Sequence, residues 1–281
     1  MTVALIAALA LAGQAAPASP PLAVGILADP CAALPAMPPI VADYMARYAK
    51  AKAAGQPAPP VTADGMAIYQ RWQDALLVSD FPGLCRYRAE NAALPPASAG
   101  RIVFFGDSIT ELWQREDPGF FTADRIDRGI SGQTTAQMLG RFRADVIDLK
   151  PRTVHIMAGT NDIAGNTGPT TLAAIEGNIR SMAELARAHG IRVVLASVPP
   201  AARFGWRPGI APVESIRALN AWLADYARRE KLTYIDYHSA LEDRDHAFRA
   251  EWSGDGVHPN AAGYVVMRRI VERALGPDGR R

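Results

Sequence analysis

The chain has only two cysteines, Cys31 and Cys85, among 281 residues. Two thiols cannot close a four-ligand structural zinc site by themselves, and no other cluster with metal-ligand spacing is visible. Neither cysteine lies near a catalytic-looking histidine motif, which argues against a cysteine nucleophile. Two readings stay open for the pair: a disulfide in an exported protein, or two buried, inert thiols. Charge of one sign is also lacking. The formal net charge is +2 and there is no dense Lys/Arg run. A nucleic-acid partner would need a concentrated basic face, so none is expected. Outside the N-terminus no stretch approaches the roughly 18 apolar residues of a bilayer span, so no stable membrane insertion is expected. No internal repeat is present.

What is there reads as a folded protein. Hydrophobic residues make up 49% and charged residues 21% of the chain, values that fit an ordinary globular domain. Residues 1–16, MTVALIAALALAGQAA, hold an apolar run from Val3 to Ala12 followed by small residues with Gly13 and Ala15 set like a cleavage site. This reads as a secretory signal peptide, and it places the protein in the periplasm or outside the cell. The basic residues that usually open such a peptide are missing, and a disordered Ala/Pro-rich tail is the other reading. Residues 25–95 read as a helical N-terminal extension. Helices are expected over Ile40–Ala54 and over Ala63–Val78, where Met66, Tyr69, Trp72, Leu76 and Leu77 recur at helical spacing.

After a Pro- and Ala-rich linker at Leu94–Gly100 the pattern changes. Short apolar runs at Arg101–Phe105, Ile126–Ile130, Thr153–Ala158, Arg192–Val198 and Leu232–Tyr237 predict strands. Helices are expected over Thr135–Leu149, Thr170–Ala188, Val213–Arg229 and Ala261–Leu275. Such alternation predicts a parallel sheet covered by helices on both faces, with ligands at the carboxyl ends of the strands.

Four of the motifs at those ends carry chemistry. Gly106-Asp107-Ser108-Ile109-Thr110 seats a serine near a helix start, where free N–H groups and the helix dipole favour negative charge; Ser and Asp there also serve as ordinary caps. Gly129-Ile130-Ser131-Gly132-Gln133-Thr134 can bring a backbone N–H close to a substrate, or can be a simple turn. Gly159-Thr160-Asn161-Asp162 offers an amide donor, or an Asx-turn. Asp255-Gly256-Val257-His258-Pro259 sets a carboxylate three residues before an imidazole, able to fix its tautomer; a capping Asp beside a surface His has the same letters. Together the four loops supply a nucleophile, a base, an orienter and an oxyanion hole, the parts of acyl transfer.

These blocks, in this order and spacing, resemble the SGNH (GDSL) hydrolase superfamily over about residues 100–276. The resemblance implies a flavodoxin-like three-layer α/β/α sandwich around a central parallel sheet of about five strands, with the helical extension outside it. It implies metal-independent and cofactor-free ester hydrolysis, with Ser108 as nucleophile and Asp255 and His258 as its partners. It assigns the oxyanion to the Ser108 and Gly132 N–H groups and the Asn161 side chain. The family spans lipases, arylesterases, thioesterases, lysophospholipases and carbohydrate O-acetylesterases, so the substrate stays open.

Trp113, Phe204, Trp206 and Trp252 fall in or beside loops expected to ring the site, and aromatic faces suit sugar rings. A small-molecule or carbohydrate ester carrying a short acyl group, acetyl above all, is therefore the favoured substrate. The alternatives are a lipase, lysophospholipase or thioesterase for longer chains, and a non-catalytic carbohydrate-binding protein on the same scaffold. His155 is expected in the core and His189 at a helix end, while His238 and His246 lack a partner motif. Asp162 is expected to shape its loop.

Overall fold

The computed structural model describes residues 25–276 apart from Gly55, Pro57 and Ala58. The signal-peptide segment expected at residues 1–16 lies outside the described residues. The chain divides into two compact units, one ending at Ser79 and the other beginning at Asp80. The described part of the first unit holds α1 (Pro39–Ala53) and α2 (Ala63–Ser79). The Thr62 hydroxyl accepts from the Gly65 N–H at the start of α2, and the Trp72 indole donates to the Pro35 carbonyl at 3.0 Å. Ile40, Met45, Met66 and Tyr69 of these helices are exposed. Neither Cys31 nor Cys85 is a free thiol.

The second unit opens with α3 (Arg88–Ala93) and then alternates: β1 (Ile102–Gly106), α4 (Ser108–Glu116), β2 (Arg125–Gly129), α5 (Thr135–Asp145), β3 (Thr153–Met157), α6 (Thr160–Ile163), α7 (Leu172–Ala188), β4 (Arg192–Ala196), α8 (Val213–Glu230), β5 (Thr233–Ile235), α9 (His238–Leu241) and α10 (Ala261–Leu275). The strands form one five-stranded sheet in the order β2-β1-β3-β4-β5, every pair parallel. This is a flavodoxin-like three-layer α/β/α sandwich. Alternate residues of each strand face opposite layers. Val103, Phe105, Val154, Ile156, Val193 and Leu195 join the core under α5, α7 and α8. Ile102, Phe104, Val194 and Ala196 join the core under α4 and α10.

The helices start where the sequence supplies caps. Thr134 and Gln137 form a reciprocal capping box on α5, and the side chains of Thr171 and Asn260 cap α7 and α10. Two features differ from the sequence expectation. Helix α5 stops at Asp145 rather than running to Leu149, because Val146 leaves helical geometry and Lys150 turns left-handed (φ 50°) after a short tight turn. The residues 80–95, read with the extension from sequence, make their hydrogen bonds to the sheet unit: Gln137 and Gln133 donate to the Phe81 and Pro82 carbonyls, and Asn91 bridges Arg128 and Asp145.

At the centre of that contact lies Arg141, which is fully buried. It pairs with Asp145 at 3.0 Å and donates to the Gly106 and Arg128 carbonyls, both at 2.9 Å. It thereby fixes the ends of β1 and β2. A buried ion pair adds little net stability, but removing one partner of such a pair typically costs about 3–5 kcal/mol.

Asp127 on β2 is a second buried charge. One oxygen accepts from the Gly129 N–H at 2.7 Å, while the other has no hydrogen-bond partner among the described residues. Burial pushes this carboxyl up from 3.8 to about 7, against the Gly129 hydrogen bond. The native state then holds a proton that the unfolded chain releases near pH 4. Stability from this group is full below about pH 4 and is lost as pH rises toward 7. Melting temperature is therefore expected to fall over that interval, and Asp127→Asn is expected to flatten the fall. Parallel pH profiles for the two proteins would rule out Asp127 as its source.

Candidate active site

The register pairs Gly106 with Gly129 and with Met157, so the carboxyl ends of β1, β2 and β3 lie side by side. The chain moves outward from β1 to β2 and then crosses back to β3, so a crevice opens at the end of β1. Asp107 caps α4, its Oδ1 accepting from the Ile109 N–H at 3.0 Å. Ser108 is thus the first residue of α4, at the positive end of its dipole. Helix α4 comes very close to β2: a Cβ on Gly129 would stand 2.2 Å from the Glu111 nitrogen, so this position accepts only glycine.

The turn 253–259 closes the site from the last connection. Ser108 Oγ and His258 Nε2 are 2.9 Å apart. His258 Nδ1 meets Asp255 Oδ2 at 2.7 Å, which assigns the proton to Nδ1 and leaves Nε2 to accept from the serine. The other Asp255 oxygen accepts from the Val257 and His258 N–H groups. Burial raises the Asp255 carboxyl, but the His258 ring and these N–H groups outweigh it and hold it well below the usual carboxylate range. Ser253 completes the turn. Its hydroxyl donates to the His258 carbonyl at 2.8 Å and accepts from the Gly256 N–H at 2.9 Å. Farther along, the Tyr264 hydroxyl of α10 donates to the Ile109 carbonyl at 2.8 Å, joining the helix after His258 to the helix that begins at Ser108.

Gly132 has φ +81°, the left-handed conformation that glycine adopts freely. The preceding Ser131 is held through its N–H by the Glu111 carboxylate at 2.8 Å. Asn161 is almost fully buried. Its Nδ2 donates to the Gln133 carbonyl at 3.0 Å and to Asp107 Oδ2 at 3.2 Å, and its Oδ1 accepts from Asn166 at 2.8 Å. Burial pushes the Asp107 carboxyl up to about 6, against the Ile109 N–H and the charge of His258. Asp162 shapes its loop as an acceptor for the Thr135 N–H and hydroxyl; burial raises its pKa, opposed by those bonds.

The four aromatic residues expected around the site divide. Trp206 is exposed and its ring lies 6.3 Å from the His258 ring. Phe204 is fully buried, packed 5.0 Å behind Trp206. Trp113 does not face the site. It lies one helical turn after Ile109 on the core side of α4, fully buried and stacked between Phe120 and Tyr264. Trp252 packs against the same core, with the Arg249 guanidinium 4.9 Å over its ring. His155 is a core residue as expected, bonded to the Tyr237 hydroxyl; burial lowers its pKa to about 3. Among the described residues no group of three His, Cys, Asp or Glu is placed to hold a metal, and no helix is long and apolar enough to cross a membrane.

Asn166, Glu111 and Ser253 were not singled out from sequence. Their letters are those of any turn or helix surface, and only the fold brings them to the four blocks.

A serine hydroxyl on an imidazole that is itself held by a carboxylate can act as a nucleophile toward a carbonyl. The family model of the GDSL-like lipase/acylhydrolase family matches residues 104–266, more than half of the chain. The chain belongs to this family of carboxylic ester hydrolases. A family structure, a GDSL-like lipase from Bacteroides thetaiotaomicron, is 45% identical and covers 69% of this chain and 98% of its own, with a TM-score of 0.68. Esterase TesA of Pseudomonas aeruginosa is 30% identical over 152 residues, 54% of this chain and 69% of TesA. The lipoprotein YqeF of Bacillus subtilis is 39% identical over 117 residues, which is 35% of this chain and about half (48%) of that lipoprotein.

Proposed function

We propose that this family member is a serine esterase working through an acyl-enzyme. The observation that carries the reading is the continuous Ser108–His258–Asp255 chain, at 2.9 and 2.7 Å. Ser108 Oγ attacks the ester carbonyl while His258 Nε2 takes its proton. The carbonyl oxygen becomes an oxyanion, received by the Ser108 and Gly132 N–H groups and by Asn161. On collapse the alcohol leaves with the proton from Nε2. Water, deprotonated by the same nitrogen, then releases the acid and frees Ser108. Asp255 keeps the imidazole in its tautomer throughout.

Within that reading we favour a short acyl group, acetyl above all, on a small alcohol or a sugar. The support is the single exposed indole of Trp206 beside His258, a flat face suited to a sugar ring. Matching kinetics on p-nitrophenyl esters from acetate to palmitate, beside release of acetate from acetylated polysaccharide, test this. The expected result is the highest kcat/KM at acetate or butyrate, with activity unchanged by EDTA. A maximum at palmitate would select a lipase or thioesterase instead. Failure of a fluorophosphonate probe to label Ser108 would favour a binding protein without turnover. Export belongs to the same proposal, supported by the apolar run Val3–Ala12, and N-terminal sequencing of the mature protein tests it.

A further inference from the structure

The indole N–H of Trp206 can only donate. It lies 3.0 Å from one end of the Asn166 side chain, so that end is the carbonyl oxygen Oδ1. The other end is then Nδ2, and it donates both to Asn161 Oδ1 at 2.8 Å and to the Gly132 carbonyl at 3.1 Å. The Nδ2 of Asn161 points the opposite way, toward the Asp107 carboxylate at the end of β1 and the Gln133 carbonyl in the loop after β2. The backbone adds a link, since the Asn166 N–H donates to the Asn161 carbonyl at 3.0 Å. The Gln133 carbonyl, which can only accept, fixes the nitrogen end of Asn161, while Asn166, oriented by Trp206, holds its oxygen end.

We propose that Asn166 and Trp206 are positioning residues. Through them the loop carrying Trp206 anchors the oxygen end of Asn161 and so holds its Nδ2 in place for the developing oxyanion. This rests on Asn161 being an oxyanion donor. Without that anchor Asn161 would be free to swing its amide away from the developing negative charge. The loss would fall on the transition state and leave ground-state binding alone. The same loop places the Trp206 ring beside His258, so substrate packing on the indole and the geometry of the oxyanion hole are mechanically joined.

The variant Asn166→Asp keeps an acceptor for Trp206 and removes the donor to Asn161. It is expected to lower kcat by about ten- to a hundredfold, with KM nearly unchanged. Trp206→Phe keeps the ring and loses the N–H, and is expected to lower kcat by a smaller factor in the same manner. The decisive measurement is the double variant Asn161→Ala/Asn166→Asp. Action through Asn161 predicts a double-variant loss well short of the product of the two single losses, with only the effect of the lost bond to the Gly132 carbonyl left beyond Asn161→Ala. Full multiplication of the two losses overturns the proposal, as does an Asn166→Asp protein with a lowered melting temperature and a normal kcat. A normal kcat in Asn161→Ala removes instead the donor reading underneath, and the two failures are told apart by that single variant.

Discussion

Ser108→Ala is expected to abolish nearly all turnover, by a factor on the order of 10⁴–10⁶ in kcat, and to leave the fold intact. The serine hydroxyl is the group whose oxygen would bond to the acyl carbon, and nothing else at the end of β1 can replace it. The Asp107 carboxylate is turned away, taken up by the Ile109 N–H and Asn161. His258→Ala is expected to cost a comparable factor, since the hydroxyl is a weak nucleophile without Nε2 2.9 Å away. The double variant should be scarcely slower than either single one, because the two residues act as a unit. Single-turnover kinetics on an activated ester, with melting temperatures for each protein, check this. Substantial turnover by Ser108→Ala would eliminate the nucleophile assignment.

Loss of the Asn161 amide is expected to lower kcat by about 10²–10³ with little change in KM. The geometry makes Asn161→Asp the more severe change. The new carboxylate would stand where Nδ2 is now, 3.2 Å from Asp107 Oδ2 in a buried site. Two carboxylates that close cannot both ionise cheaply, so they would share a proton. Activity of Asn161→Asp should therefore decline further as pH rises and that proton is lost, whereas Asn161→Ala should carry no such additional dependence. If Asn161 served only to shape its turn, Asp would substitute mildly and Ala would mainly lower stability. A kcat near normal in Asn161→Asp would take Asn161 out of the site.

Strands β1 and β4 were legible because they are buried on both faces and stand out as uninterrupted apolar runs, Ile102–Phe105 and Val193–Leu195, whereas β2, with Arg125, Asp127 and Arg128, shows only through its place in the alternation. The helices α7, α8 and α10 were legible from their caps and stripes. The brief helix α3 escaped notice because six residues carry too little periodicity to register. At the site, the first three blocks stand out because glycines mark their strand ends, and the fourth because its Asp255 and His258 share a Gly- and Pro-bounded turn before α10. The aromatic ring was misjudged for Trp113, because proximity along the chain says nothing about which side of α4 a residue occupies. Asn166 lies five residues after Asn161, yet its role needed the Trp206 loop, forty residues later, to be folded against it. No local pattern contains that information.

Five hydrogen bonds that shape the Asp255–His258 turn fall within residues 253–258, and Asn260 ties its base to the Glu251 and Trp252 carbonyls. The acid–base pair is thus a cassette, spelled out in the consecutive residues 251–260. Ahead of Glu251 the connection from β5 can therefore lengthen, shorten or change composition without retuning the imidazole, so long as it delivers the cassette to Ser108. Variation has room to accumulate ahead of Glu251, while the chemistry travels unchanged behind it.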